Sequence, residues 1–297
     1  MSENMLTYRK SYYLYISLAL ILFSYVIYWS QAGIEGSNGG TPQGYFLGTL
    51  AAALVLWLAM LGIRKRSFQR VKGSVKAWVS AHVYLGSSLI IIASFHSAFQ
   101  LGMNIHSFAY LLLLVVIFSG MYGVFAYIRY PQIIATLSDG RSGEENLALL
   151  NRLKEEISAT CEKLDSELQM TVISAIERTD IGGSTLDMLL ARDRSTMYRN
   201  VFGKNEITRV DIVSNFGQQP LVDYIAKRIP RGNRATEPEL LLSLLNSLTR
   251  RQQLLADLRK TLQLKARTKV WLFVHTPISI ALVVALIIHV VSVFFYW

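Results

Sequence analysis

AHVYLGSSLIIIASFHSAF (Ala81–Phe99) is an apolar run with a histidine near each end, His82 and His96, fourteen residues apart. The same interval separates His275 and His289 in VHTPISIALVVALIIHVV (Val274–Val291). Four of the five histidines of the chain make up these two pairs, so the repeat uses nearly all of the imidazole the chain has. On an α-helix, fourteen residues rise about 21 Å and make about 3.9 turns, which puts both rings of a pair within about 40° of one face. A hydrocarbon core about 30 Å thick holds two such levels, one in each half.

The composition places these runs in a bilayer. Of 297 residues, 52% are hydrophobic, more than a soluble domain carries and far more than a disordered chain. Five windows approach or exceed the roughly 20 apolar residues a helix needs to cross a membrane: 11–31, 44–63, 77–100, 105–128 and 269–297. The first is too long and too aromatic for a secretory leader and has no A-x-A cleavage site, so it reads as a retained helix. The single cysteine, Cys161, excludes a disulfide framework within the chain. It also excludes an iron–sulfur cluster or covalent haem attachment held by this chain alone, and it reads as a small buried helix residue.

Charge placement sets the expected orientation. The segment IRKRSFQRVKGSVK (63–76) carries six basic residues and no acid, whereas QAGIEGSNGGTPQG (31–44) and LGMN (101–104) have no Lys or Arg. The positive-inside bias then puts the N-terminus in the cytoplasm and the C-terminus outside, in a plasma membrane of the bacterial inner-membrane kind. Eighteen of the twenty acids lie between Asp139 and Asp257, so the formal net charge of +10 belongs to membrane-flanking segments. A lipid bilayer accounts for it; a nucleic-acid partner does not.

The expected fold is an all-α membrane protein. Residues 1–130 hold four transmembrane helices, 131–266 a mainly helical cytoplasmic insert, and 267–297 the fifth transmembrane helix, which completes the bundle. Pro131, in YIRYPQ, is expected to end the fourth helix. Within the insert, Leu150, Leu153, Ile157, Cys161, Leu164, Leu168 and Val172 share the face of one amphipathic helix that IGGS ends or interrupts. The stretch 181–235 is mixed, with room for short strands or turns, and PRGNR (230–234) reads as a loop. A second leucine stripe from Leu241 to Leu262 meets no Gly or Pro between Glu239 and Thr276, which predicts a helix continuing into the last span. Two antiparallel helices around a small irregular subdomain result.

With this topology the third and fifth helices run parallel. His82 then lies at the depth of His275, on the cytoplasmic side, and His96 at the depth of His289, on the outer side. Two opposed imidazoles at each level are what a six-coordinate iron porphyrin requires, and helix bundles build cofactor sites from facing helices. Gly86 between the third-helix histidines, and Gly120 and Gly123 in SGMYG, leave room for a flat macrocycle. Lys72, Lys76, Arg129, Arg267 and Lys269 flank the inner level as partners for propionates. The outer level has no cations, leaving Ser107, Asn104 or His106 as donors. His106 has two readings, an interfacial histidine facing water or a propionate partner or quinone donor. A membrane histidine also serves as a hydrogen-bonded packing residue or in a proton path, and small residues also mediate plain helix packing. Two pairs of identical spacing favour haem over these, and the lack of acids or thiols disfavours zinc or a di-metal centre.

These histidines resemble the pattern of the di-haem b-type membrane cytochromes, both the cytochrome b core of quinol-oxidising complexes and the ferric-reductase-like transmembrane family. The resemblance covers the third to fifth helices. It implies two non-covalent haem b groups with bis-histidine ligation by His82, His96, His275 and His289. The Pro-Glu quinol-site signature of cytochrome b is absent from the sequence, and so is a flavin or nicotinamide module.

A chain with two haems in series and no other cofactor motif is expected to be the haem-b subunit of an electron-transfer oxidoreductase complex, as in a respiratory chain. Its electrons would pass between a quinol or a cytoplasmic redox partner and an outer-side acceptor, with redox subunits docking on either face and quinone a further candidate ligand. A self-sufficient transmembrane reductase of ferric chelates or oxygen is a second reading. A haem-linked membrane sensor or scaffold, signalling through the leucine-striped helix, is a third.

Overall fold

The computed structural model describes residues 6–31, 39–66, 74–203, 206–229 and 237–295. Arg70 and Lys72 of the basic loop, and the PRGNR segment, lie outside the described residues. The chain is mostly helical and forms two compact units, Met1–Ala126 with Val270–Trp297, and Tyr127–Lys269.

Five helices are long and apolar enough to cross a membrane. They are α1 (Tyr12–Gln31), α2 (Pro42–Arg66), α3 (Val75–His96), α4 (Ile105–Leu137) and the C-terminal part of α9 (Glu237–Phe295). Their large side chains are widely exposed, among them Leu22, Phe118, Phe273 and Ile280. This suits contact with hydrocarbon, because a helix satisfies its backbone internally and needs only an apolar exterior there.

The most deeply buried of the five, α3, packs against α1 and α2. Between helices in lipid there is little hydrophobic driving force, so close approach through small residues carries the packing. The buried face of α3 has that composition, with Ala77, Ala81, Ala93, Ser80, Ser88 and Ser94. Around it lie Val55 and Leu58 of α2, Leu113 and Ile117 of α4, and Leu282 of α9. Ser74 caps the start of α3 by accepting from the Ala77 amide at 3.2 Å. Asn104 caps α4, its Oδ1 accepting from the Ser107 amide at 2.9 Å.

Pro131 does not end α4, contrary to the sequence expectation. The helix continues to Leu137 with Pro131 inside it. Proline removes one donor and crowds one carbonyl, a local defect that a long helix absorbs when residues on both sides keep their own bonds. The real terminator lies beyond, where Asp139 (φ 51°) and Gly140 (φ 75°) turn left-handed and the Gly140 amide bonds back to the Ala135 carbonyl at 3.1 Å.

In the second unit the expected single amphipathic helix is two, α5 (Gly143–Cys161) and α6 (Ser166–Glu177). Asp165 explains the break. Its carboxylate accepts from the Leu168 amide at 2.8 Å and so starts a new helix inside the apolar pattern. The buried stripe survives: Leu150, Leu153, Ile157, Cys161, Leu168 and Val172 are all buried. Leu150 and Leu153 meet Leu254 and Leu255, while Ile157 and Cys161 join Leu241, Leu244 and Leu248, so α5 and α9 run antiparallel. The mixed stretch resolves into α7 (Thr185–Leu189), an antiparallel hairpin of β1 (Thr196–Gly203) and β2 (Glu206–Ser214), a 3₁₀ turn at Phe216–Gln218, and α8 (Gln219–Arg228). As its sequence predicts, α9 runs unbroken from Glu237 to Phe295, and it passes through Pro277 on the way.

Candidate functional site

His96 is the last residue of α3, where the chain leaves the helix through Ala98 and Phe99 at φ 48° and 60°. Its Nδ1 lies 2.7 Å from the Gly44 carbonyl oxygen in the first turn of α2. A carbonyl only accepts, so Nδ1 carries the proton and Nε2 keeps its lone pair. Metal-binding histidines are held in this way, with one ring nitrogen donating to a carbonyl while the other coordinates. Gly48, one turn further along α2, supplies the space. A Cβ there would fall 2.6 Å from Cε1 of His96 and 2.8 Å from Nδ1, so any side chain would displace the ring. Gly39 lies against the same residue.

His106, in the first turn of α4, and His289, near the end of α9, complete a three-histidine cluster. Their ring centres lie 4.9 Å apart, and His96 is 5.2 Å from His106 and 6.2 Å from His289. One ligand atom from each residue falls within 4.8 Å of the others. His106 therefore belongs to the site itself. Ser107 and Asn104, the other expected outer donors, serve the turn before α4, where Ser107 Oγ accepts from the Gly102 amide at 2.9 Å. A cavity of about 1020 Å³ opens beside the cluster, walled by Ala52, Val55, Leu113, Leu282 and Leu286.

The second level is built around His275. Ser119 Oγ of α4 lies 2.7 Å from its Nδ1, and the Trp271 indole stacks on the ring at 5.2 Å and 27°. The Trp271 Nε1–H donates to the Ser119 carbonyl at 2.7 Å, fixing ring and partner together. Gly120 and Gly123 make the close approach possible. A Cβ on Gly120 would sit 3.7 Å from Cε1 of His275, and one on Gly123 would collide with the Trp271 ring. Gly86 lies on α3 opposite Leu58 of α2, which an added Cβ would meet at 3.8 Å. His82 is half-buried on α3.

These contacts order the helices. α4 pairs His106 with His289 and Ser119 with His275, so α4 and the end of α9 are antiparallel. α3 and α4 are joined by the short turn 97–104 and bonded through Ser94 and Tyr110 at 2.8 Å, so α3 runs with α9. His82 and His275 are therefore both displaced about 21 Å from the three-histidine level toward the same end.

The three imidazoles are placed to hold a metal ion. His106, 5.2 and 4.9 Å from the other two rings, stands in the plane a porphyrin between His96 and His289 would take, so a haem there requires the His106 ring to turn aside. Two imidazoles on opposite sides of one ion, with metal–nitrogen bonds of about 2.0–2.1 Å, put their ring centres about 6 Å apart, and His96 and His289 stand at 6.2 Å. The cavity is of the size and apolar character of cofactor pockets, which run to about 1,000 Å³. The sequence reading did not single out Gly44, Gly48, Ser119 or Trp271. The spacing Gly44-x₃-Gly48 and the i, i+4 step from Trp271 to His275 are the signals that point to them.

No protein-family model, curated protein or solved structure matches this chain. The functional reading stands on the site's geometry.

Proposed function

We propose that the protein carries electrons across a membrane through two b-type haems, one held by His96 and His289 and the other by His82 and His275. The observation that carries this reading is the fixed tautomer of His96. Its Nδ1–H is held by Gly44, its ring is seated on Gly48, and His289 stands opposite at ring-centre distance 6.2 Å. When bound, each haem supplies reversible one-electron chemistry at its iron. The chain's residues hold and orient. Gly44 and Ser119 lock one histidine at each level, Trp271 clamps the His275 ring, and apolar side chains line much of the His96 cavity. Hydrogen bonds to ligands and an apolar surround of this kind are how a protein tunes the potential of such a centre. The chain has no further redox motif, so a donor and an acceptor come from partner subunits or from quinol, with 131–266 on the cytoplasmic side and the C-terminus outside.

A second reading, direct reduction of a small outer acceptor, is favoured by one observation: the cavity is also lined by the exposed turn residues Gln100, Leu101 and Gly102. Reduced-minus-oxidised spectra of the purified chain test the main proposal. Two haems per chain with b-type α bands are expected, and a chain without such a band ends the proposal. Reduction of ferric chelate by the pre-reduced chain alone separates the second reading from the first.

A further inference from the structure

We propose that His96, His106 and His289, standing as they do in the cluster, form a binding site for a single copper ion. A metal–nitrogen bond of about 2.0–2.1 Å, continued about 1.1 Å to the middle of the ring, puts an imidazole centre about 3.2 Å from its ion. The three ring centres form a triangle with sides of 4.9, 5.2 and 6.2 Å. A triangle of those sides has a circumradius of about 3.2 Å, so one point in its plane lies at the ligating distance from all three rings. Seen from that point, the rings are about 100°, 109° and 151° apart, three corners of a distorted square. The ligand atoms lie within 4.8 Å of one another, and in the bound site they would be about 3.1–4.0 Å apart, a closure that small ring movements supply. His96 is set for the role, because Gly44 holds its Nδ1–H and leaves the lone pair on Nε2. His106 is the second residue of α4, where the first amides have no intrahelical bonds to lose, so it settles onto an ion at low cost.

The donors choose the metal. The cluster holds no thiolate or carboxylate, and neutral imidazoles suit copper, zinc, nickel and iron. A tetragonal set with one corner open is the geometry of copper(II) or nickel(II), and of the two copper(II) binds nitrogen ligands more tightly. All three histidines line the cavity of about 1020 Å³, which the exposed turn residues Gln100, Leu101 and Gly102 also border, so the ion and a small fourth ligand have a way in. A haem at this level would need His96 and His289 for itself, so the level holds one occupant at a time.

The test titrates Cu²⁺ alone into the untagged, full-length chain, purified in detergent from haem-starved cells. Electron paramagnetic resonance with spin-echo envelope modulation counts the coordinated imidazoles. One Cu²⁺ per chain with three imidazoles is expected. His106→Ala is expected to lose one imidazole and more than about tenfold in affinity, beyond what loss of an outer partner alone must cost. His82→Ala and His275→Ala should match wild type. No bound Cu²⁺ in wild type, an unchanged His106→Ala, or loss of the ion on removing His82 overturns the assignment. Helical content by circular dichroism reports folding. If the haem-starved chain lacks it, haem loading of the full chain with and without equimolar Cu²⁺ gives the second reading. Cu²⁺ should then slow loading at one level in wild type and not in His106→Ala, and equal loading in all four cases overturns the site. The haem reading is judged separately by the reduced-minus-oxidised spectra, so a missing b-type band ends that reading and leaves a three-imidazole copper signal standing.

Discussion

The Nδ1–H of His96 donates to the carbonyl oxygen of Gly44, 2.7 Å away, and this bond between α3 and α2 leaves Nε2 of His96 as the only ring nitrogen with a lone pair to give. The site is thus organised by a helix that contributes no histidine to it.

Gly48→Val tests how closely α2 holds that ring. The new side chain starts 2.6 Å from Cε1 of His96 and must push the imidazole out of line. Overpacking of this sort costs about 1–3 kcal/mol. We expect the His96-level haem signal to disappear while the other persists, with helical content by circular dichroism unchanged. Full retention of both signals would show that the ring does not rest on α2.

Parallel α3 and α9 predict which ligands are partners. His82→Ala and His275→Ala should lose the same spectral species, and His96→Ala the other one. If His82→Ala and His275→Ala remove different species, the parallel arrangement is wrong. Redox-difference spectra of the three variants decide the matter.

Ser119→Ala removes the hydroxyl beside His275 Nδ1. Loss of such an outer partner typically lowers metal affinity about 10–100-fold. The expected result is faster haem loss from the His275 level alone, followed as transfer to an apo-acceptor, with the His96 level unaffected. Equal loss from both levels would contradict a local role.

Within the second unit, Arg259 and Asp193 form a half-buried pair at 2.7 Å, and Asp193 also accepts from the Gly217 and Ser195 amides at 2.7 and 2.9 Å. Asp193→Asn leaves the guanidinium without its counter-charge, which in this half-buried setting costs less than the about 3–5 kcal/mol of a fully buried pair. Hydrogen exchange on the full chain should accelerate across residues 178–200. Unchanged protection there would mean the pair is dispensable.

Burial in the core of this unit pushes the Cys161 thiol up to about 11, from 9.0. Between those values the unfolded chain loses the proton and the folded chain keeps it. Stability from this group is therefore intact below about pH 9 and falls as pH rises toward 11. Maleimide labelling at pH 8 should be slow in the folded chain and rapid once the unit is opened with denaturant. Rapid labelling of the native protein would place Cys161 at the surface.

The five spans, the leucine stripes and the fourteen-residue histidine interval are properties of single helices. Helix periodicity and bilayer thickness act on consecutive residues, so the sequence alone determines them. The continuity of α9 was readable for the same reason. What failed was local: Pro131 reads as a stop and the run through Asp165 as one helix, because the cost of a lost bond or the gain from a cap depends on what the flanking turns contribute. The contact of Gly48 with His96, the bond from Gly44, the Ser119–Trp271 clamp on His275 and the entry of His106 into the cluster join residues far apart in the chain. His96 and His106 alone are near in sequence, and even their meeting requires the 97–104 turn to fold α4 back. Only the packing of α2, α4 and α9 around α3 could decide these contacts, since nothing in a helix's own periodicity specifies which neighbour its glycines will face.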